Sequence, residues 1–394
     1  GIGIGNIAQA SVSLKLSASV GSDNFKAFGT EVVYIPEGQF YIGDGGTANN
    51  HYAFSDAQGG DIYAPLLITQ AIQNAGLGAK TVYQRQSHGS SGDLPSTFPL
   101  GYNAFYIMKY EINQAQYVDF LNSLTVQQQL EIMGDLKNSR PPNSATGTVM
   151  KSYNNSVRIE IVTSGDNTGS YTPAIYGLDA SNDNNFNQDN DGFGIPVTLN
   201  RRELLTYLDW TALRPMTEFE YEKACRGPLT PVMYEKAWGT TSYTNKHGNP
   251  TNYRSSNSYF RTDWDNYLGP NHNVIVRSGI DATSTSNRER SGATFFGVME
   301  MTGNIGEFAI GGRDGNYSTF TNAPGDGSIS QIAENDSPNW KSQGYIYRGR
   351  GNWNWGNGAE RVSNRYGDWK GEINSNYNQD KNVYAIGGRG VRSW

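Results

Sequence analysis

Between residues 12 and 20 the chain alternates strictly, with Val12, Leu14, Leu16, Ala18 and Val20 apolar and Ser or Lys between them. A period of two places all five on one side of a half-buried strand. Residues 1–29 therefore read as the end of an upstream β domain or as an edge strand. The chain begins at Gly1 with no basic leader region, so either a leader was removed or a longer protein is expected upstream. From Thr30 the pattern changes. Glu31–Gly43 (EVVYIPEGQFYIG) reads as two short strands turning at Pro36-Glu37-Gly38. Residues 44–102 are polar and Gly-rich and read as loop. A strand follows over Phe105–Lys109, and Asn113 stands where a helix N-cap belongs. Tyr117, Phe120, Leu121 and Leu124 then share one face of a helix over Gln114–Leu124. Thr125 caps a second short helix through Met133, and residues 137–199 again read as loop. Asn200-Arg-Arg-Glu203 and Thr217-Glu-Phe-Glu220 both match the capping box, in which the cap oxygen and the third-position carboxylate satisfy reciprocal orphan amides. The second of these helices stops at Gly227-Pro228. Beyond it the pattern predicts only turns and short strands.

Composition narrows the classes. With 394 residues the chain forms one large domain or two. Charged residues make up 17%, below the roughly 25% usual in soluble proteins, while aromatics reach 12% and glycines number 47. That mixture fits an extracellular, loop-rich β protein. A net charge of −6 without any Lys/Arg run argues against a nucleic-acid partner, and none is expected. No stretch approaches the roughly 20 apolar residues of a transmembrane helix. The single Cys225 rules out an intrachain disulfide and a multi-Cys zinc site, and it reads as a buried, inert thiol. His51, His88, His247 and His272 include no pair at metal-ligand spacing and accompany no nucleophile motif.

Three stretches offer candidate chemistry. Asp179, Asp183, Asn185, Asn187, Asp189, Asp191 and Gly192 supply hard oxygens before a Gly turn, with Asp189 and Asp191 as calcium candidates. The twelfth position counted from Asn187 is Thr198 rather than a bidentate Glu, and a solvated acidic loop is the alternative reading. In Met301–Phe308, a tight turn after Gly303 can aim the Asn304 amide oxygen, the Ile305 carbonyl and the Glu307 carboxylate at one ion; an ordinary turn is the alternative. Finally, Trp353, Asn354, Trp355 and Trp369 combine flat rings with amides, suiting a sugar- or protein-binding surface or else a β-rich core.

Four ordered blocks resemble the formylglycine-generating enzyme (sulfatase-modifying factor) family. They are Val33–Gly43, Lys109–Leu121, Leu213–Gly227 (LRPMTEFEYEKACRG) and Gly297–Phe308 (GVMEMTGNIGEF). Tyr347–Trp353 and Gly388–Arg392 are similar to the family's Arg-Gly-Gly-Ser-Trp and closing Gly-Phe-Arg segments. The resemblance implies an α+β protein, an irregular loop-rich variant of the C-type lectin fold spanning residues 30–394, with residues 1–29 as a strand or tail of something upstream. Oxidase members of the family bind copper through two cysteines. Here those positions fall at Trp355 and near Glu360, so no copper is expected and the oxidase mechanism is closed. The resemblance also implies structural calcium at Gly303, Asn304 and Glu307, although Gly306 and Phe308 replace a bulky residue and a Trp of the family motif. Non-catalytic branches include receptor-binding variable proteins and scaffold lipoproteins of bacterial gliding and secretion machinery. The expected function is accordingly a secreted or cell-surface, outer-membrane-associated bacterial structural and binding protein, with other envelope proteins or glycans as partners. The alternatives are an iron-dependent enzyme using the same pocket and a carbohydrate-binding lectin.

Overall fold

The computed structural model describes residues 28–45, 53–54, 64–69, 97–134, 148–149, 161–163, 176–178, 194–242, 277–279, 281–311, 320–337, 340, 344–349, 360–365 and 386–393. In chain order these carry β1 (Val32–Ile35), β2 (Phe40–Ile42), β3 (Leu66–Ile68), β4 (Phe105–Met108), α1 (Gln114–Ser123) and α2 (Val126–Gly134). Next come β5 (Thr148–Val149), β6 (Ile161–Thr163), β7 (Tyr176–Leu178), α3 (Arg201–Trp210), β8 (Arg214–Pro215) and α4 (Glu218–Arg226). The remainder comprises α5 (Arg288–Ser291), β9 (Gly306–Ile310), β10 (Tyr345–Arg348), β11 (Ile386–Gly387) and β12 (Gly390–Ser393).

The architecture is α+β. One sheet has the order β1-β4-β12-β8, antiparallel throughout, so the last strand sits between two from the first 215 residues. A second sheet, β10-β9-β11, has one parallel pair, β9 with β11. The pairs β2-β3 and the triplet β5-β6-β7 are antiparallel. The two runs around Pro36 are both strands, yet they do not form a hairpin: β1 joins β4 and β2 joins β3. The loop reading of 44–102 missed β3, and that of 137–199 missed β5, β6 and β7. Each has only two or three residues, too few for periodicity to register. The single helical turn α5, capped by Asn287, was missed for the same reason.

Helix starts follow the capping chemistry. The Asn200–Glu203 and Thr217–Glu220 boxes both form, each with reciprocal bonds from side chain to backbone. Asn113 caps α1 and also makes a box, with Gln116 returning a bond to the Asn113 amide at 3.0 Å. Gly227 ends α4 at φ +65°, a left-handed value, and a Cβ there would overlap the Phe295 ring. The apolar face of α1 buries Tyr117, Phe120 and Leu121 against α3, where Phe120 meets Tyr207 and Trp210 at ring separations of 5.7 and 5.3 Å. A second apolar cluster joins Ile35, Phe105, Ile107 and Val391 of the first sheet to Tyr221, Ala224 and Cys225 of α4. Among the described residues, no helix is long and apolar enough to cross a membrane. The alternating segment 12–20 lies outside the described residues.

Candidate functional site

Helix α4 is rich in charge, yet all nine of its residues are buried. Residues 218, 222 and 226 are spaced i, i+4, i+8 and share one face. Glu218 Oε2 accepts from Arg348 Nη1 at 2.9 Å and Arg365 Nε at 2.6 Å, while Oε1 accepts from Arg365 Nη2 at 2.7 Å. Glu222 accepts from Arg348 Nη2 at 2.6 Å, from Arg226 Nη1 at 2.7 Å and from the Gly43 amide at 2.7 Å. Arg226 also pairs with Glu235 and donates to Ser363 Oγ at 2.6 Å. The three carboxylates Glu218, Glu222 and Glu235 thus face the three guanidiniums Arg226, Arg348 and Arg365. From the other side of the helix, Glu220 receives both Arg214 Nη atoms, at 2.9 and 2.6 Å. Aromatic faces cover the cations: Arg365 lies 4.1 Å over Phe54 and Arg348 lies 4.9 Å over Tyr221.

A second junction lies where β4, β9 and the chain entering β12 meet. Arg389 uses all five of its N–H groups: two go to Glu307, at 2.6 and 2.8 Å, and three to the carbonyls of Met108, Lys109 and Met299. Beside this pair Glu111 is fully buried, accepting from Ser278 Oγ at 2.9 Å, Asn304 Nδ2 at 3.2 Å and the Ile305 amide at 3.3 Å. Burial raises the Glu111 carboxyl well above its ordinary range; Arg389 opposes this, and the nearby Glu300 and Glu307 add to it. Asn304 and Glu300 adopt φ of +56° and +54°, the left-handed region that Asn tolerates and Glu seldom enters.

This geometry bears directly on the calcium candidates Asn304, Ile305 and Glu307. Both Glu307 oxygens lie on the Arg389 guanidinium, and the Asn304 and Ile305 nitrogens point to Glu111. A cation at Glu307 would sit against a fixed positive charge, so in this arrangement the Glu307 carboxylate is committed to Arg389 rather than offered to an ion. The missed partners are Arg389 and Glu111, which lie 82 and 196 positions from Glu307 and carried no spacing signal. Asp189, Asp191, Trp353, Asn354, Trp355 and Trp369 lie outside the described residues, as do the four histidines. Glu360, near the second cysteine position that the sequence resemblance implied, is described: its carbonyl accepts from Thr302 Oγ1 at 2.9 Å, beside the Asn304 turn.

No protein-family model matches the chain, and no curated protein does. One cluster the sequence reading overlooked is Asp209, Asp326 and Asp336, whose carboxylate oxygens lie within 4.8 Å of one another. Asp209 accepts from the Asp326 and Asp336 amides, at 3.3 and 2.9 Å, and from Ser337 Oγ at 3.0 Å, so it already serves as a clamp on the 325–337 loop.

Two groups of potential reactivity are closed off. Cys225 is fully buried and its thiol is pushed up to about 12 by burial, which outweighs Arg226 and Arg348. Thiol-reactive probes are expected to leave it unlabelled in the native protein and to label it fully in denaturant; rapid native labelling would contradict that burial. Lys223 is buried, donates to the Gly101 and Tyr102 carbonyls at 2.6 and 2.9 Å, and has its ammonium lowered to about 8 by burial against the weaker pull of Glu220 and Glu37. The sign follows from linkage: a base whose folded pKa lies below its unfolded value loses its proton first in the folded state. The contribution of Lys223 to stability therefore rises as pH climbs from about 8 toward 10.5. The gain is on the order of 3 kcal/mol. Because the raised Cys225 thiol acts in the opposite sense above about pH 9, the Lys223 contribution is read as a difference: in urea titrations the stability of the parent relative to Lys223→Met should grow as pH climbs from about 8 toward 10.5, and a difference that stays flat would contradict it.

Proposed function

We propose that this chain is a non-catalytic structural and binding protein with a formylglycine-generating-enzyme-like variant of the C-type lectin fold, displayed or secreted at a bacterial surface as part of a gliding, adhesion or secretion assembly. The observation that carries the non-catalytic reading is the state of Cys225. An oxidase of that family works through two thiolates, whereas this sequence holds one thiol, sealed in the core and kept protonated.

The convergence of the sequence blocks supports the same reading. Gly43, Glu111, Glu218, Glu222, Arg226, Glu307, Arg348 and Arg389 come from all of them and meet in two buried polar junctions. Their side chains, with the Gly43 backbone amide, hold distant loops to one helix and one strand, which is a task of folding rather than of turnover. Binding to other envelope proteins, or to glycans, is assigned to the aromatic and amide residues Trp353, Asn354, Trp355 and Trp369 on their composition alone. We infer further that ion pairing, rather than calcium, secures the Asn304–Glu307 turn. The test combines two readouts. The protein, supplied with copper and a cysteine-containing peptide, should consume no oxygen above a protein-free control, and a chelator should leave its melting temperature unchanged. Copper-dependent oxidation of the peptide faster than in the protein-free control would overturn the non-catalytic reading, and a chelator-induced drop in melting temperature would overturn the second inference.

A further inference from the structure

We draw no further inference here: the strongest candidate, the exposed apolar side chains Leu229, Val232, Met233 and Phe295 around the C-terminal end of α4, is an unpartnered surface, and nothing in the structure shows what covers it.

Discussion

Glu218→Ala should lower the unfolding free energy by about 3–5 kcal/mol, the usual cost of removing one partner from a buried ion pair. The side chain receives three hydrogen bonds from Arg348 and Arg365, both of which are at most 1% exposed. Without it, one guanidinium keeps Glu222 and the Val362 carbonyl, while Arg365 loses the carboxylate that balances it. A typical domain has only about 5–15 kcal/mol of stability, so the variant will sit near the edge of folding. Urea denaturation of the variant beside the parent protein measures the loss. A change below about 1 kcal/mol would show that solvent reaches this network and that the pair is an ordinary surface one.

Arg389→Met is expected to cost a similar amount, about 3–5 kcal/mol at neutral pH, with a distinctive pH dependence. The substitution leaves Glu307 buried without its counter-charge beside Glu111, whose carboxyl is already raised chiefly by burial. Glu307 is likewise raised by burial, and only Arg389 holds it down. For an acid whose folded pKa lies above its unfolded value, the folded state binds the proton more tightly, so stability grows as pH falls. The gap between variant and parent should therefore narrow from pH 7 toward the unfolded carboxylate range near 4.5. A gap that stays constant with pH would mean that the lost carbonyl contacts of Met108, Lys109 and Met299, rather than the stranded charge, cause the damage.

What the sequence disclosed about the fold was local. Asn113, Asn200 and Thr217 announced their helices because capping is settled within four residues, and Gly227-Pro228 marked an end for the same reason. The return bond of Gln116 is equally a matter of its place three after Asn113. Non-local pairing was not readable. β1 lies 73 positions from its partner β4, and β12 is paired with strands that precede it by more than 170 residues. The polar junctions illustrate the same limit. In EFEYEKACR, the i, i+4 spacing of Glu218, Glu222 and Arg226 is visible and suggests a solvated charged face. Its burial follows from Arg348 and Arg365, more than 120 residues away. Glu307 stood out as a potential ion ligand because its neighbours Gly303 and Asn304 shape a turn. Its actual counter-charge enters from residue 389.

The most direct measurement is the metal content of the whole chain purified under anaerobic conditions, determined by mass spectrometry beside an oxygen-uptake assay. In the family that the sequence blocks resemble, the two chemistries that would make such a protein an enzyme require bound copper or iron. A binding and structural role built on buried ion pairs requires neither. A structural and binding protein should carry only trace, substoichiometric copper and iron, with no oxygen uptake above a protein-free control when either metal is added back. One copper or one iron per chain, with oxygen uptake that depends on it, would show instead that the protein is an enzyme.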